Sequence, residues 1–133
     1  MVVTLTKLKG AGPVELPVDI IEDEAITVDS ATFVTTISID NRNYTNLLIH
    51  INNNGVTNDL DYEILGHGDA NGGVQPTIDN SWIPLKAATV IQEDSAAVET
   101  LNDRYAWIVI RLRETVGASA TTAKIWIRAA SGF

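Results

Sequence analysis

Two histidines, a row of carboxylates and a set of aromatic and cationic side chains are the residues of this chain with chemistry to offer. His50 and His67 sit in different contexts, one on an outward strand position and one beside Gly66 and Gly68. As a catalytic pair they would need a nucleophile or a metal-binding carboxylate at matched spacing, and the sequence supplies neither. P-loop, GxSxG, HExxH and dinucleotide fingerprints are all absent. Structural roles are therefore expected for both histidines, and no enzymatic activity is expected.

Asp59, Asp61 and Glu63 alternate along one strand face, and Asp69, Asn71, Asp79 and Asn80 follow in a loop. A hard cation wants about six to eight oxygen ligands, and such loops can supply them. EF-hand spacing is missing, however, and a solvated strand face followed by a turn-rich loop accounts for the same residues. No metal and no cofactor are expected. Paired carboxylates for glycoside hydrolysis would need a cleft ~5–10 Å across, which a sandwich of this size rarely holds.

The aromatics say more. Trp82, Trp107, Trp126, Tyr105 and Tyr44 fall largely outside the parity of the aliphatic residues. An outward Trp on a sandwich covers a second packed layer in the same chain, meets another subunit, or stacks on a sugar ring. Two runs near the C-terminus frame these options. In residues 104–113, Ala106, Ile108, Ile110 and Leu112 alternate with Tyr105, Trp107, Val109, Arg111 and Arg113. In residues 122–129, Ala123, Ile125, Ile127 and Ala129 alternate with Lys124, Trp126 and Arg128. This period of two predicts strands with one aliphatic face and one aromatic–cationic face.

Read as a hairpin turning near Gly117, the two runs pair Ile108 with Ile127, Ile110 with Ile125 and Leu112 with Ala123. Their other face then brings Trp107 to Arg128, Val109 to Trp126 and Arg111 to Lys124. It is too apolar for bare solvent and too cationic for an ordinary core. Tyr105, Trp107, Arg111, Trp126 and Arg128 are accordingly the expected subunit or partner interface.

The elements that would position them are strands throughout. Residues 2–8 read as a first strand, closed by the Lys9–Pro13 turn, and 14–20 as an edge segment restricted by Pro17. Glu22-Asp23-Glu24 reads as an acidic loop. Residues 27–39 are rich in Thr, Val, Ile and Phe and predict one strand, with Phe33, Thr35, Ile37 and Ile39 on a shared face. Residues 44–52 predict another, with Leu47, Ile49 and Ile51 inward and Asn46, His50 and Asn52 outward; Asn53-Asn54-Gly55 ends it. In residues 60–66, Leu60, Tyr62 and Ile64 alternate with Asp61 and Glu63. The long polar loop from His67 to Asn80 reads as a functional or interface loop. Residues 82–85 and 88–91 form one broken strand or two short ones. Residues 94–101 fit either a helical turn or a strand with Val98 inward.

Eight to ten short antiparallel strands with turns between them, and no crossover helices, predict an all-β fold. A single-domain, jelly-roll-like β-sandwich over residues 1–133 is the expected architecture, with 1–17 as a possible arm or edge segment. The 133 residues suffice for one core, and the formal net charge of −8 argues against nucleic acid as a partner. There is no cysteine, hence no disulfide framework. No signal peptide is apparent at the N-terminus, and no apolar run approaches the ~20 residues of a membrane span.

Laid out in order, the chain has Phe33 and Ile37, then Tyr44, Leu47, Ile49, Ile51, Asn53 and Gly55. Leu60, Tyr62, Ile64 and Gly66 come next, followed by a glycine-rich loop, Trp82 and Leu85. Tyr105, Trp107, Ile108 and Ile110 lead to the closing Ala123, Ile125 and Ile127. This pattern over residues 30–129 resembles the small β-sandwich or jelly-roll virion proteins of tailed bacteriophages: capsid decoration (cement) and head or tail accessory proteins. The resemblance implies a non-enzymatic homo-oligomer, often a trimer in that group, located on the virion capsid surface and partnered by the major capsid protein. It also makes residues 1–17 an arm lying on the capsid or a neighbouring subunit. Carbohydrate-binding modules and adhesins share the strand pattern and supply the alternative, with the outward Trp residues as a stacking platform.

Overall fold

Aliphatic side chains at every second position can be buried only if strands pair into sheets and the sheets face each other. The computed structural model shows that solution. It describes residues 4–5, 18–42, 44, 46–56, 58–102, 105–115 and 120–130. Within them the strands are β1 (Thr4–Leu5), β2 (Val18–Val28), β3 (Val34–Asp40), β4 (Asn46–Asn53), β5 (Leu60–His67), β6 (Ile83–Ile91), β7 (Ser95–Leu101), β8 (Trp107–Glu114) and β9 (Thr121–Ala130). A single 3₁₀-type turn, Asn71–Gly73, interrupts the β5–β6 connection.

One sheet, A, runs β1-β3-β8-β5-β6 and the other, B, runs β2-β9-β4-β7. All pairings are antiparallel except β1 with β3, which is parallel over two residues. The order has a simple origin. β2 pairs β9, β3 pairs β8, β4 pairs β7 and β5 pairs β6, so β2 to β9 form one long two-stranded ribbon with its tip at the β5–β6 connection. Rolling that ribbon sets β4 beside β9 and β5 beside β8 and closes the two sheets. This is the eight-stranded jelly roll, with β1 added at one edge.

The expected hairpin of the last two strands is corrected by this topology. β8 pairs with β3 and β5 in sheet A, whereas β9 pairs with β2 and β4 in sheet B. Their aliphatic faces meet across the core, where Ile108, Ile110, Ile125 and Ile127 are all fully buried. Both arrangements bury the same parity, which is why alternation alone could not separate them.

Other boundaries shift for local reasons. The Glu22–Glu24 run lies inside β2, at the register break between Ile21 and Glu24, and is no loop. Residues 27–39 are two strands, separated at Asp29–Phe33 as the chain passes between sheets. A second register break between Thr35 and Ile37 moves Phe33 off the face of Ile37 and Ile39. Residues 95–101 are a strand, and Val98 points outward at 56% exposure. Of the 1–17 segment, only Thr4–Leu5 falls within the described residues, and they pair with Ser38–Ile39 of the same chain.

Candidate interaction face on sheet B

The two sheets treat their outer faces differently. On sheet A, Trp107 and Val109 of β8 turn away from the main core, yet both are fully buried. They form a second cluster with Leu65 and Trp82, and Ile78 packs against it. The β5–β6 connection folds back over this end of the sheet. Trp107 Nε1 donates to the Ala70 carbonyl at 3.1 Å, and Trp82 Nε1 donates to the Thr77 carbonyl at 2.9 Å. A buried indole needs such an acceptor, and the loop backbone supplies one for each ring.

The other end of the same face is closed by ion pairs. Arg111 meets Glu63 at 3.1 Å and donates to the Phe33 carbonyl at 3.1 Å. Arg113 meets Asp61 at 2.8 Å, and its guanidinium lies 4.2 Å from the centre of the Phe33 ring. The strand carboxylates are thus partners of the strand arginines. The outer face of β5 and β8 is thus covered by the same chain, while Val90 on the edge strand β6 stays 55% exposed.

Sheet B carries no such cover among the described residues. Its outer positions run in cross-strand rows. His50 of β4 lies between Trp126 of β9 and Val98 of β7, and Leu48 lies between Arg128 and Thr100. Asn52 lies between Lys124 and Ala96. Trp126 and His50 touch through tilted rings, 4.8 Å between centroids. Leu48 is 42% exposed and Val98 more so, giving an apolar strip on β4 and β7 beside a cationic β9.

The five residues expected to form one interface are therefore divided. Trp126 and Arg128 share the outer face of sheet B. Trp107 and Arg111 lie on the far sheet, the first beneath the β5–β6 connection and the second in an ion pair. Tyr105 packs against the main core on Gly66, where an added Cβ would sit 2.8 Å from the Tyr105 ring. Trp107 does not meet Arg128, nor Arg111 Lys124; the residues opposite them are Asp40 and His67 for Trp107, and Thr35 and Glu63 for Arg111. A stacking platform of several tryptophans is likewise absent, because Trp82 and Trp107 are internal and Trp126 alone is half-exposed. Leu48 and Val98 were missed. Leu48 had a signal, an aliphatic residue breaking the polar parity of Asn46, His50 and Asn52; Val98 had none.

One grouping in the β5–β6 connection has the residue types of a hydrolase triad. His67 Nε2 lies 3.0 Å from Ser81 Oγ, and Ser81 Oγ donates to Asp79 Oδ1. The backbone N–H of Asp69 donates to His67 Nδ1, so in the neutral ring the proton sits on Nε2 and points at the serine. A nucleophilic serine needs the reverse, a histidine that accepts its proton. Here the serine proton goes to Asp79, whose carboxyl is held below the usual range by the Ser81 hydroxyl and N–H. The grouping pins the loop, and the loop covers Trp107. Among the described residues no cluster of three or more His, Asp or Glu could hold a metal ion.

No protein-family model matches the sequence, and no curated protein matches it. Solved structures do. PirA superimposes with a TM-score of 0.56 at 18% identity, over 79% of this chain and 92% of that one. A protein of the disulfide-linked pili that form Bacillus endospore appendages superimposes with a TM-score of 0.47 at 15% identity, over 96% of this chain and 100% of that one. At 18% identity the likeness to PirA is one of fold. The resemblance drawn from the strand pattern is supported at the level of a small all-β sandwich, and its phage capsid part is not confirmed by this likeness of fold.

Proposed function

We propose that this chain is a non-catalytic structural building block that works as a homo-oligomer, assembled through sheet B. The observation that carries the proposal is the contrast between the two outer faces. On sheet A the loop and ion pairs cover the central strands β5 and β8, and the exposed Val90 lies on the edge strand β6. On sheet B the central strand β4 leaves Leu48 open, with Val98 and the Trp126–His50 pair beside it. A contiguous apolar strip on an otherwise acidic chain is a surface for another protein, since large apolar groups gathered in one place are seldom left to solvent. The reversed polarity of the His67–Ser81–Asp79 network also favours a structural role over hydrolysis. Capsid decoration, the narrower role suggested by the strand pattern, draws no support from either structural neighbour and is left out of the proposal.

Light scattering coupled to gel filtration tests it. A dimer or larger species at micromolar concentration is expected, with an apparent mass that falls on dilution or holds if the assembly is tight. A strictly monomeric protein throughout overturns the proposal.

A further inference from the structure

A sandwich of two open sheets has four edges, and each offers unpaired N–H and C=O groups to any passing strand. Three of them carry devices that discourage pairing. The β3 edge is occupied by β1 at Ser38–Ile39 and broken by the register shift between Thr35 and Ile37. The β6 edge contains Pro84 and Lys86 and two register shifts against β5. The β2 edge has two register shifts against β9, between Asp19 and Ile21 and between Ile21 and Glu24.

The β7 edge has none of these. Ser95–Leu101 keeps seven consecutive register partners on β4 with no break. It contains no Pro, Lys or Arg, and Ser95, Ala96 and Ala97 leave its rim low. Its one charged residue, Glu99, shares the inward parity of Leu101; its carboxylate pairs with Lys86 at 3.2 Å and accepts from the Tyr62 hydroxyl. Among the described residues no strand pairs its free side.

We propose that β7 is the assembly edge, pairing antiparallel with β7 of a second copy about a two-fold axis at Val98. The proposal rests on the self-assembly reading above and names the part of sheet B that joins the copies, its β7 edge rather than its outer face. A regular, unbroken edge specifies a β-strand as its occupant, because only a strand can fill alternate N–H and C=O groups in series. Self-complementarity specifies which strand. With Val98 opposite Val98, Ala97 meets Glu99, Ala96 meets Thr100 and Ser95 meets Leu101, and no two like charges face each other. A chain of net charge −8 repels its own copies over most of its surface, and this neutral edge is where two copies can approach. The join makes an eight-stranded sheet in which the Trp126, His50, Val98 row runs unbroken through both copies.

The cysteine-free sequence makes the register directly readable. In the two-fold pairing, Cβ atoms at position 98 of the two copies lie about 5 Å apart, within reach of a disulfide once the strands adjust. Val98→Cys, incubated with oxidised glutathione, is expected to form a covalent dimer. Ala96→Cys alone is not, whereas Ala96→Cys combined with Thr100→Cys is. In the unmodified protein, half of the β7 amides are expected to gain hydrogen-exchange protection as concentration rises. If the protein is oligomeric but Leu48→Cys cross-links and Val98→Cys does not, and β7 exchange is independent of concentration, the edge proposal is overturned while self-assembly stands. A monomer at every concentration overturns both.

Discussion

The hydroxyl of Thr121 donates to Asn53 Oδ1 across 2.8 Å at the end of the sandwich where four connections meet. Asn53 is fully buried, and the same oxygen accepts from the Gly55 N–H at 3.0 Å. Its Nδ2 donates to the carbonyls of Asn58 and Ile91 at 2.8 and 3.1 Å. An asparagine side chain offers two donors and two lone pairs, and all four are used. The residue holds the strand ends of β4, β5, β6 and β9 together. Asn53→Ala strands several buried groups at once and is expected to cost about 2–4 kcal/mol, measured by urea unfolding. Asn53→Asp points carboxylate oxygens at two carbonyls and is expected to be no milder. A loss under half a kcal/mol for both, against the usual scatter of about 0.5 kcal/mol for surface changes, would remove Asn53 from this role.

Gly55 belongs to the same corner. A Cβ at this position would stand 1.9 Å from Thr121 Oγ1, so the clash, and not backbone freedom, fixes the residue. Gly55→Ala is expected to destabilise the protein, and Thr121→Ala in the same chain is expected to return part of the loss. A double-mutant cycle reads the coupling; strictly additive losses would show that the two residues do not meet.

The burial of two of the three tryptophans is measurable without any substitution in the core. Trp82 and Trp107 are 5% and 1% exposed, and both indole N–H groups are bonded to loop carbonyls. Acrylamide should quench Trp126 and leave the other two largely untouched, so Trp126→Phe should remove most of the quenchable emission. Trp107→Ala should release the β5–β6 connection and cost about 3–5 kcal/mol, as deletion of a buried Trp does. Strong quenching that survives Trp126→Phe would contradict the packed second cluster.

Strand faces were legible from alternation because burial on one side of a sheet repeats every two residues. Leu47, Ile49 and Ile51, and likewise Leu60, Tyr62 and Ile64, lie where parity puts them. Partner choice was not legible. Between β2 and β9, consecutive strands lie in the same sheet only at β5–β6, so reading β8 and β9 as a hairpin assigned Ile108 to Ile127 within a sheet when the two enter the one core from opposite sheets. The role of Trp107 was hidden for a related reason. A polar loop of Gly, Asn and Asp does not advertise that its carbonyls of Ala70 and Thr77 will cap two indoles. Val98 was unreadable because a short run of Ala, Val and Thr fits either face of an edge strand.

Acid should weaken one end of the fold in a defined window. Arg42 grips Asp40 with two bonds, Nε to Oδ1 at 2.8 Å and Nη2 to Oδ2 at 2.6 Å. That hydrogen bonding holds the Asp40 carboxyl below its usual range, with burial opposing it. A folded value below the unfolded one means the stabilisation is complete above about pH 4 and is lost as pH falls through the folded value. Asp40→Asn should therefore be less stable than the parent at neutral pH, with the gap closing in stronger acid. Urea midpoints across the acid range check this; a gap of constant size would show that Asp40 acts through packing and not through its charge.

Assembly through sheet B predicts that one exposed valine differs from another. Val98→Lys places an ammonium on the β7 edge and on the open face, the standard natural device against edge pairing. Position 98 is 56% exposed, so the monomer fold should change by no more than about 0.5 kcal/mol. The substitution also lowers the size of the net charge by one, from −8 to −7, which reduces general repulsion between copies. Loss of the oligomer by light scattering would therefore be local in origin. Val74→Lys provides the comparison: Val74 is 64% exposed, lies in the β5–β6 connection, and carries the same change of charge. The expected outcome is dissociation for Val98→Lys and an unchanged mass for Val74→Lys, with both circular dichroism spectra matching the parent. Equal behaviour of the two variants would detach assembly from sheet B, because exposure and charge would then account for everything seen.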